Sequence, residues 1–263
     1  MLTAALVVAR KELRDHLRDT RSLISAGCYA LMGPFVIMLL SFSAQTGLRA
    51  RSASLVGMTS VFALVAAFVG GMNVAMDTLA GELERRSLVP LFTTGITRQE
   101  VALGKWLAIT VFALGGLVLN LAAFGLVLPA SPLTALSAAG LVTAAIGLVI
   151  GLAPLAALAA ALELWISTAC RSAKEAQTYL SLLVFFPMMV GMFLAFFPAW
   201  MDGWRFLVPV IGQYALIESA VRGEPMSTPA VLALGAVTTA GAAAAVSGAS
   251  RLLAHDDVVR AGH

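Results

Sequence analysis

The sequence predicts an all-α integral membrane protein with six transmembrane helices. Hydrophobic residues make up 60% of the chain and charged residues 12%, whereas a soluble domain carries about 25% charged residues. Five intervals contain no charged residue, at 22–48, 52–76, 106–162, 176–201 and 225–250.

A helix needs about 20 apolar residues to cross the hydrocarbon core of a bilayer. Four of the charge-free intervals therefore hold one span each, and the longest, which is divided at Pro129 and Pro132, holds two. We expect a single transmembrane domain over 1–263 with spans at about 22–44, 53–76, 106–128, 133–162, 178–198 and 230–251.

The distribution of lysine and arginine predicts how the chain crosses the membrane. With the N-terminus in the cytoplasm, all but four of the 17 lysines and arginines fall in inner segments, in agreement with the positive-inside rule. The exceptions are Arg49, Arg51, Arg205 and Arg222. We therefore expect a multi-pass protein of the cytoplasmic (inner) membrane with both termini in the cytoplasm. The net charge of +3 follows from this topology, and we expect no nucleic-acid partner.

The segment 2–20 predicts an amphipathic helix at the membrane surface. Apolar residues recur at helical spacing on one face and charged residues occupy the other. The apolar face is formed by Leu2, Leu6, Ala9, Leu13 and Leu17, and the polar face by Arg10, Lys11, Arg14, Asp15 and Arg18. This segment is too polar to span the bilayer, so we expect it to lie along the inner leaflet.

Prolines and glycines predict where the spans bend and approach one another. Pro34 in the first span and Pro154 in the fourth predict kinks. The pair Gly147-x-x-x-Gly151 permits close packing, either within the chain or at a dimer face. The apolar but interrupted stretch 198–229 predicts short, broken outer helices before the last span.

A charged segment at 77–105 separates the second and third spans. Its first part, about 77–88, predicts a short helix with acidic residues early and arginines late, which suits the helix dipole. Pro90 ends this helix, and Gly95 marks a turn into a second helix. A charged, structured segment between two spans is a candidate for the place where a partner protein transmits force.

Two further features define this segment. Thr97 and Glu100 have the spacing of a capping box, S/T-x-x-E, at the start of the second helix. Leu91 and Phe92 would be exposed to water in an isolated loop, which indicates burial against the membrane or a partner. The competing interpretation is a solvated basic loop that only sets topology.

The chain lacks the residues of an enzyme that hydrolyses ATP. A phosphate loop has the form G-x-x-x-x-G-K-[ST], and the single Gly-Lys pair, Gly104-Lys105, has Gln99 where the first glycine belongs. The three histidines lie outside the predicted spans, so neither a catalytic residue nor a metal site is expected. Cys28 and Cys170 are interpreted as packing residues.

Ion-coupled carriers place ionisable residues within their spans, and this sequence has none near the middle of a span. Glu163, at the inner end of the fourth span, is interpreted as a carboxylate that reaches the interface or is paired there, with a transport role as the alternative. For Glu218, in the broken outer stretch, both interpretations stay open.

The stretch AGELERRSLVPLFTTGITRQEVALGKWLA resembles the coupling segment of permeases in type-2 exporters of the ATP-binding-cassette (ABC) class. That family carries the form GE-x-E-R-x-[ST]-L-x-x-L between its second and third spans, followed by [ST]-R-x-E-x-x-x-G-K. Within the family, the chain is similar to the sodium-efflux and multidrug permeases, whose longer members have a large outer domain where this chain has only 45–51.

The resemblance implies a permease subunit without its own ATPase. Its partners would be two copies of a separate ABC ATPase, which holds ATP and Mg, and a second permease chain in a homodimer or heterodimer. The cargo would be hydrophobic, lipid-linked, drug-like or an ion. The residues expected at the ATPase interface are Glu82, Glu84, Arg85, Arg86, Leu88, Leu91, Phe92, Thr97, Arg98 and Glu100, with Arg171 and Lys174 in the second inner loop.

Two alternatives belong to other functional classes. A carrier driven by an ion gradient would need an essential buried carboxylate, whereas a membrane scaffold would use the segment 77–105 only to dock a soluble partner. ATPase binding and stimulation separate both alternatives from the permease.

Overall fold

The computed structural model describes residues 2–44, 52–85, 95–127, 138–197, 203–224 and 227–254. Regular secondary structure within these ranges is helical, and six helices are long and apolar enough to cross a membrane, which confirms the predicted fold class. In chain order the elements are α1 (Leu2–Arg18), α2 (Thr20–Ala44), α3 (Ser52–Ala75), a π-helical turn (Met76–Gly81) with a short α-helical continuation (Glu82–Glu84), α4 (Arg98–Val127), α5 (Ala138–Ala169), α6 (Ala173–Phe196), a 3-10 helix (Gly203–Leu207), α7 (Ile211–Arg222) and α8 (Thr228–Ala254).

Helix α3 lies at the centre of the bundle and packs against α2, α4, α5, α6 and α7. Of its membrane-length window 67% is buried, compared with 22% for α2 and for α6. Glycine allows this close packing, because a Cβ on Gly70 would lie 3.0 Å from the Cα of Ala113 on α4. Small residues on α3 therefore set the distance between the two helix backbones.

Two helix boundaries differ from the sequence prediction. The capping-box helix and the third span form one continuous helix of 30 residues, Arg98–Val127, instead of a span that begins near 106. No separate helix begins at Asp77, because α3 runs on through the π-helical turn to Glu84. The second span is thus directly continuous with the charged segment.

The face of α1 that packs against the protein differs from the predicted apolar face. Ala5, Val8 and Glu12 are buried against the first turns of α4, whereas Leu6 and Leu17 are 57% and 59% exposed. The helix therefore has one face of small and polar residues for α4 and a separate leucine face that suits the surface of a bilayer.

Gly147 and Gly151 do not act as a paired packing motif within the chain. A Cβ on Gly147 would meet no atom within 4 Å, whereas a Cβ on Gly151 would collide with the side chain of Leu216 on α7. The most extensive contact of α5 is instead with α8, where Leu158 and Ala161 meet alanines of the last helix. Pro154 lies inside α5, and the helix continues through it.

Short helices precede α8, as the sequence predicts. The 3-10 helix and α7, 12 residues long, are each too short to cross a bilayer. Gln213 ties α7 to α8, because its Nε2 donates to Thr238 Oγ1 at 2.8 Å. Glu218 on α7 is paired with Arg222, whose Nη2 lies 2.5 Å from its Oε1. This outcome favours a structural role for Glu218.

Candidate functional site

The charged end of the bundle is formed by α1, the π-helical turn, the start of α4, the end of α5 and the start of α6. The π-helical turn contacts α5 and α6, while α1 packs on α4. The described parts of the predicted coupling segment and of the second inner loop both belong to this end.

Lys105 is the centre of this end and is completely buried, with 0% of its surface exposed. Its Nζ donates to Glu12 Oε1 at 3.2 Å, to Glu82 Oε2 at 2.7 Å and to the backbone oxygen of Thr78 at 2.5 Å. A buried ammonium needs such partners, because an unpaired charge away from water is very costly. One side chain on α4 therefore joins α1 to the end of α3.

A second cation balances the cluster. Lys11 Nζ lies 3.5 Å from Glu12 Oε1 and 3.7 Å from Glu82 Oε1. Although partial burial lowers it, the pKa of Lys11 is raised overall by the carboxylates of Glu12, Glu82 and Asp15. Lys11 therefore stays charged at neutral pH. We call these residues the Lys105 cluster; it consists of Lys11, Glu12, Thr78, Glu82 and Lys105.

Gly104 lets α1 approach α4 closely enough for the cluster to form. A Cβ at this position would lie 2.6 Å from the backbone oxygen of Ala5 and 2.7 Å from Val8 Cβ. Any larger residue would have to displace the α1 backbone. The adjacent pair Gly104-Lys105 thus combines a close helix contact with a buried ion pair.

The π-helical turn supplies the third partner of Lys105. In a π-helix the backbone bonds run from i to i+5, and such turns are frequent at functional sites. Besides the bond from Lys105 to Thr78, the backbone N–H of Ala80 donates to Ser167 Oγ of α5 at 3.2 Å. The turn is therefore bound from α4 on one side and from α5 on the other.

Glu84 joins the two charged segments at the surface of this end. Its exposed carboxylate accepts a hydrogen bond from the backbone N–H of Ala173, with 3.0 Å between Oε2 and nitrogen. Ala173 is the first residue of α6, and Ser172 before it caps that helix by accepting from Glu175 N at 3.2 Å. We call the contact between Glu84 and Ala173 the Glu84 bridge. It holds the end of the α3 extension against the start of α6.

The predicted capping box at the start of α4 is confirmed. Glu100 N donates to Thr97 Oγ1 at 3.3 Å, and Glu100 Oε2 accepts from the backbone N–H of Thr97 at 2.9 Å. The Thr97 hydroxyl also donates to the same oxygen at 2.8 Å. These reciprocal bonds satisfy donors that the first turn of a helix leaves unpaired.

Replacing Thr97 by alanine is expected to lower the free energy of unfolding by about 1 kcal/mol, the usual loss for an N-cap. Thermal melting of the purified chain would measure this change. Thr239→Ala is the matched control, because that exposed hydroxyl bonds only to a carbonyl of its own helix. Equal melting temperatures for the two variants would contradict a stabilising role for the capping box.

The residues predicted to contact an ATPase fall into three groups. Four of them, Arg86, Leu88, Leu91 and Phe92, lie outside the described residues. The exposed ones are Glu84, Arg85, Thr97, Arg171 and Lys174. Glu82, Arg98 and Glu100 are partly or largely buried, and Glu82 is bound inside the chain by the Lys105 cluster. The structure brings Glu84 together with the Arg171–Lys174 region through the Glu84 bridge.

Sequence reasoning did not find the partners of Lys105. Periodicity could have found part of the cluster, because Lys105 follows Val101 and Ala102 on the side of α4 that is buried with Ala108. It could not have found Glu12, since the pairing joins residues 93 positions apart. Only the approach of α1 to α4 reveals that contact.

Glu163 also differs from the prediction that it reaches the interface or is paired there. The residue is 0% exposed, and both carboxylate oxygens lack a hydrogen-bond partner among the residues that the structure describes. It faces Gly71 of α3, where a Cβ would lie 2.6 Å from Glu163 Oε2. The carboxyl group is buried because α3, α4 and α5 pack together around it, although Glu163 lies near the end of its span in the sequence.

Comparison with known proteins identifies matches that cover most of the chain. Residues 6–245 match the family model described as ABC-2 family transporter protein. The chain is also 33% identical over 226 residues to the ABC transporter permease protein NatB of Bacillus subtilis (strain 168). That match covers 77% of this chain and 53% of the relative, so the chain spans about half of the relative's length.

Proposed function

The chain belongs to the ABC-2 family of transporter proteins, and on this premise we propose that it is the transmembrane permease subunit of an ATP-driven exporter. It has no phosphate loop in its sequence, so the energy comes from a separate ABC ATPase that binds ATP and Mg. NatB of Bacillus subtilis, to which the chain is 33% identical, is itself described as an ABC transporter permease protein, and this supports the assignment.

The proposed assembly contains two ATPase subunits and two permease chains, either identical or homologous. It lies in the cytoplasmic membrane with both termini inside. The excess of lysine and arginine at the charged end supports this orientation. The charged end then faces the cytoplasm, where the ATPase subunits are.

The Glu84 bridge is the observation that carries the proposal. It joins the extension of α3 to the start of α6 at an exposed position. Arg171 and Lys174, within two residues of Ala173, are exposed as well. A partner that pushes on this surface would therefore act on two spans together.

The Lys105 cluster would carry such a displacement further into the bundle. Glu82 is the first residue after the π-helical turn. Its carboxylate pairs with Lys105 of α4, and Lys105 also pairs with Glu12 of α1. Because a buried ion pair is costly to break, the linked helices would move as a unit. The π-helical turn is the proposed point of bending, because helices kink where a π-bulge interrupts them.

The proposed cargo is hydrophobic, lipid-linked or drug-like, with an ion as the alternative, and it moves outward. The apolar surfaces of the spans support a hydrophobic cargo: α2, α6 and α8 are each less than 30% buried within their membrane windows. The exposed residues of α6 include Phe185, Phe186 and Met189. The direction of transport rests on the family resemblance.

The double variant Glu84→Lys with Arg85→Glu tests the proposal. The tagged chain is purified from its native membranes with its bound ATPase and reconstituted in lipid vesicles, where ATP hydrolysis is measured. Reversing both charges should reduce ATPase binding and the stimulated rate by about tenfold or more, which corresponds to about 1.4 kcal/mol.

Glu224→Lys is the matched control, because Glu224 is an exposed carboxylate near the other end of the bundle. Its ATPase binding should equal that of the wild type. Unchanged binding and turnover in the double variant would contradict the proposed role of the Glu84 bridge. Absence of any bound ATPase, with transport driven by an ion gradient, would instead favour a secondary carrier; binding without turnover or transport would favour a scaffold.

A further inference from the structure

Glu163 occupies a niche that glycine creates between three spans. It projects from α5 toward Gly71 on α3 and the region of Ile109 on α4. A Cβ on Gly71 would lie 2.6 Å from Glu163 Oε2 and 2.7 Å from Ile109 Cγ2. The carboxyl group thus takes the space that a side chain at position 71 would fill.

Both carboxylate oxygens are buried and unbonded within the described part of the chain. Hydrogen bonds satisfy the great majority of buried polar groups in proteins, so such an atom needs an explanation. In an apolar site without partners, an ionised carboxylate is far more costly than the protonated acid. The geometry therefore accommodates the neutral form of Glu163.

The described charged and titratable groups on the neighbouring elements do not pair with Glu163. Lys105, one turn before Ile109 on α4, binds Glu12 and Glu82. The other such groups nearby are Asp77 after α3, His16 on α1, Cys170 directly after α5, Lys174 and Glu175 on α6 and Arg251 on α8. Within the described ranges, none of these groups forms a hydrogen bond or an ion pair with Glu163.

A metal cation fits this niche poorly. Hard cations such as Ca²⁺ and Mg²⁺ take six or more oxygen ligands, and the described residues contain no group of three or more acidic, histidine or cysteine side chains able to hold a metal. Besides Glu163, the atoms nearest to a Cβ on Gly71 are the Ile109 Cγ2 methyl and the Ile109 backbone oxygen, the latter at 3.1 Å, so the niche offers a single carbonyl oxygen beside the carboxyl group. A proton needs only the one carboxyl oxygen.

We propose that Glu163 is a proton-binding site that holds a proton while α3, α4 and α5 pack together. When these spans separate and water enters, Glu163 ionises and releases the proton. Protonation thus favours the packed arrangement, and raising the pH favours its opening. This inference goes beyond the proposed function and does not depend on an ATPase.

The sign of the pH dependence follows from this scheme. At low pH the carboxyl is protonated in both the packed and the unfolded chain, so glutamate and a neutral replacement behave alike. Above the ordinary range of glutamate, about pH 4.3, the unfolded chain gives up its proton while the packed chain keeps it. Wild-type stability should therefore fall with pH relative to a variant that cannot ionise.

Glu163→Gln tests the proposal in the full chain reconstituted in lipid nanodiscs. The melting temperature of the variant minus that of the wild type is measured from about pH 5 to about pH 9. We expect this difference to increase by about 5 °C or more across that range. Parallel curves for wild type and variant would overturn the proposal.

Glu218→Gln is the matched control, because it removes a buried carboxylate that is paired with Arg222. The melting temperature of Glu218→Gln minus that of the wild type should not show the rise with pH expected for Glu163→Gln, because Glu218 is paired with Arg222 and Glu163 is not paired within the described residues. An equal increase in both variants would show that the effect belongs to buried carboxylates in general and would overturn the assignment to Glu163.

Infrared spectroscopy adds a measurement at equilibrium. The C=O stretch of a protonated carboxyl should be present in the wild type at neutral pH and absent from Glu163→Gln; its absence from the wild type would overturn the proposal.

If Glu163→Gln does not fold, Glu163→Met takes its place. Failure of both neutral replacements to fold would contradict a site that accommodates an uncharged group. These melting and infrared measurements do not involve the ATPase, so their outcomes stand even if the ATPase test of the proposed function fails.

Discussion

Replacing Lys105 by methionine is expected to lower the free energy of unfolding by about 3 kcal/mol. Methionine matches the length of the lysine chain, but it leaves the carboxylates of Glu12 and Glu82 without their buried cation. Glu12 is only 4% exposed, so water cannot compensate for the loss. Lys11 Nζ lies farther from these carboxylates, at 3.5 Å from Glu12 Oε1 and 3.7 Å from Glu82 Oε1. Lys11 therefore offsets only part of the lost stability.

Thermal melting of the purified chain measures this change, and a loss of about 3 kcal/mol corresponds to about 6–12 °C for a chain of this size. Lys174→Met is the control, because Lys174 is an exposed cation at the same end of the bundle, and its effect should stay within about 0.5 kcal/mol.

A second variant separates the charge of Lys105 from its packing. Adding Glu12→Gln to Lys105→Met removes one of the two stranded carboxylates, so the double variant should recover part of the stability lost in Lys105→Met alone. If the two changes were simply additive, the ion pair would not be the source of the effect. A wild-type melting temperature for Lys105→Met would refute the Lys105 cluster as a structural centre.

Replacing Gly104 by alanine is expected to destabilise the chain by about 1–3 kcal/mol, the usual range for overpacking. The added methyl would lie 2.6 Å from a backbone oxygen of α1, and backbone cannot rotate away as a flexible side chain can. The helix α1 would have to shift, and Glu12 would move away from Lys105. Protease sensitivity of the N-terminal segment should therefore increase together with the loss of thermal stability.

Gly115→Ala is a strict control, because Gly115 lies on the same helix and a Cβ there would meet no atom within 4 Å. Alanine has a higher helix propensity than glycine by about 1 kcal/mol, so this variant should be neutral or stabilised. If Gly104→Ala behaved in the same way, α1 would not depend on close contact with α4.

The Lys105 cluster and Gly104 give the charged end a physical basis for coupling. A buried ion pair resists separation, and a close glycine contact transmits displacement because packed interfaces deform little. Both features connect α1, the end of α3 and α4, while the Glu84 bridge connects the same end of α3 to α6. The proposed site for an ATPase is therefore rigidly attached to several spans at once.

Much of the fold could be predicted because the bilayer imposes simple requirements on sequence. Charge-free runs of the required length identified all six spans, and the described ends of α6 and α8 lie within a few residues of the predictions. The capping box of Thr97 and Glu100 was predictable because its contacts are local, three residues apart.

The candidate site was predicted only in outline. The sequence identified the charged residues of the segment 77–105, but their pattern was interpreted as a single surface that contacts a partner. In the structure Glu82 and Glu84, two residues apart, have different roles: one binds a buried lysine and the other reaches the start of α6. Side-chain direction along a helix depends on the π-helical turn, and no pattern in the sequence predicted that turn.

The sequence by itself determined the class of protein, the number of spans and the position of the charged segment, because these follow from the cost of placing charge in a bilayer. Tertiary structure alone decided the state of Lys105 and Glu163. Both residues are buried where helices meet, yet one has two carboxylate partners and the other has none within the described residues. The difference arises from which helix faces them across the contact, and that depends on packing between residues far apart in the chain.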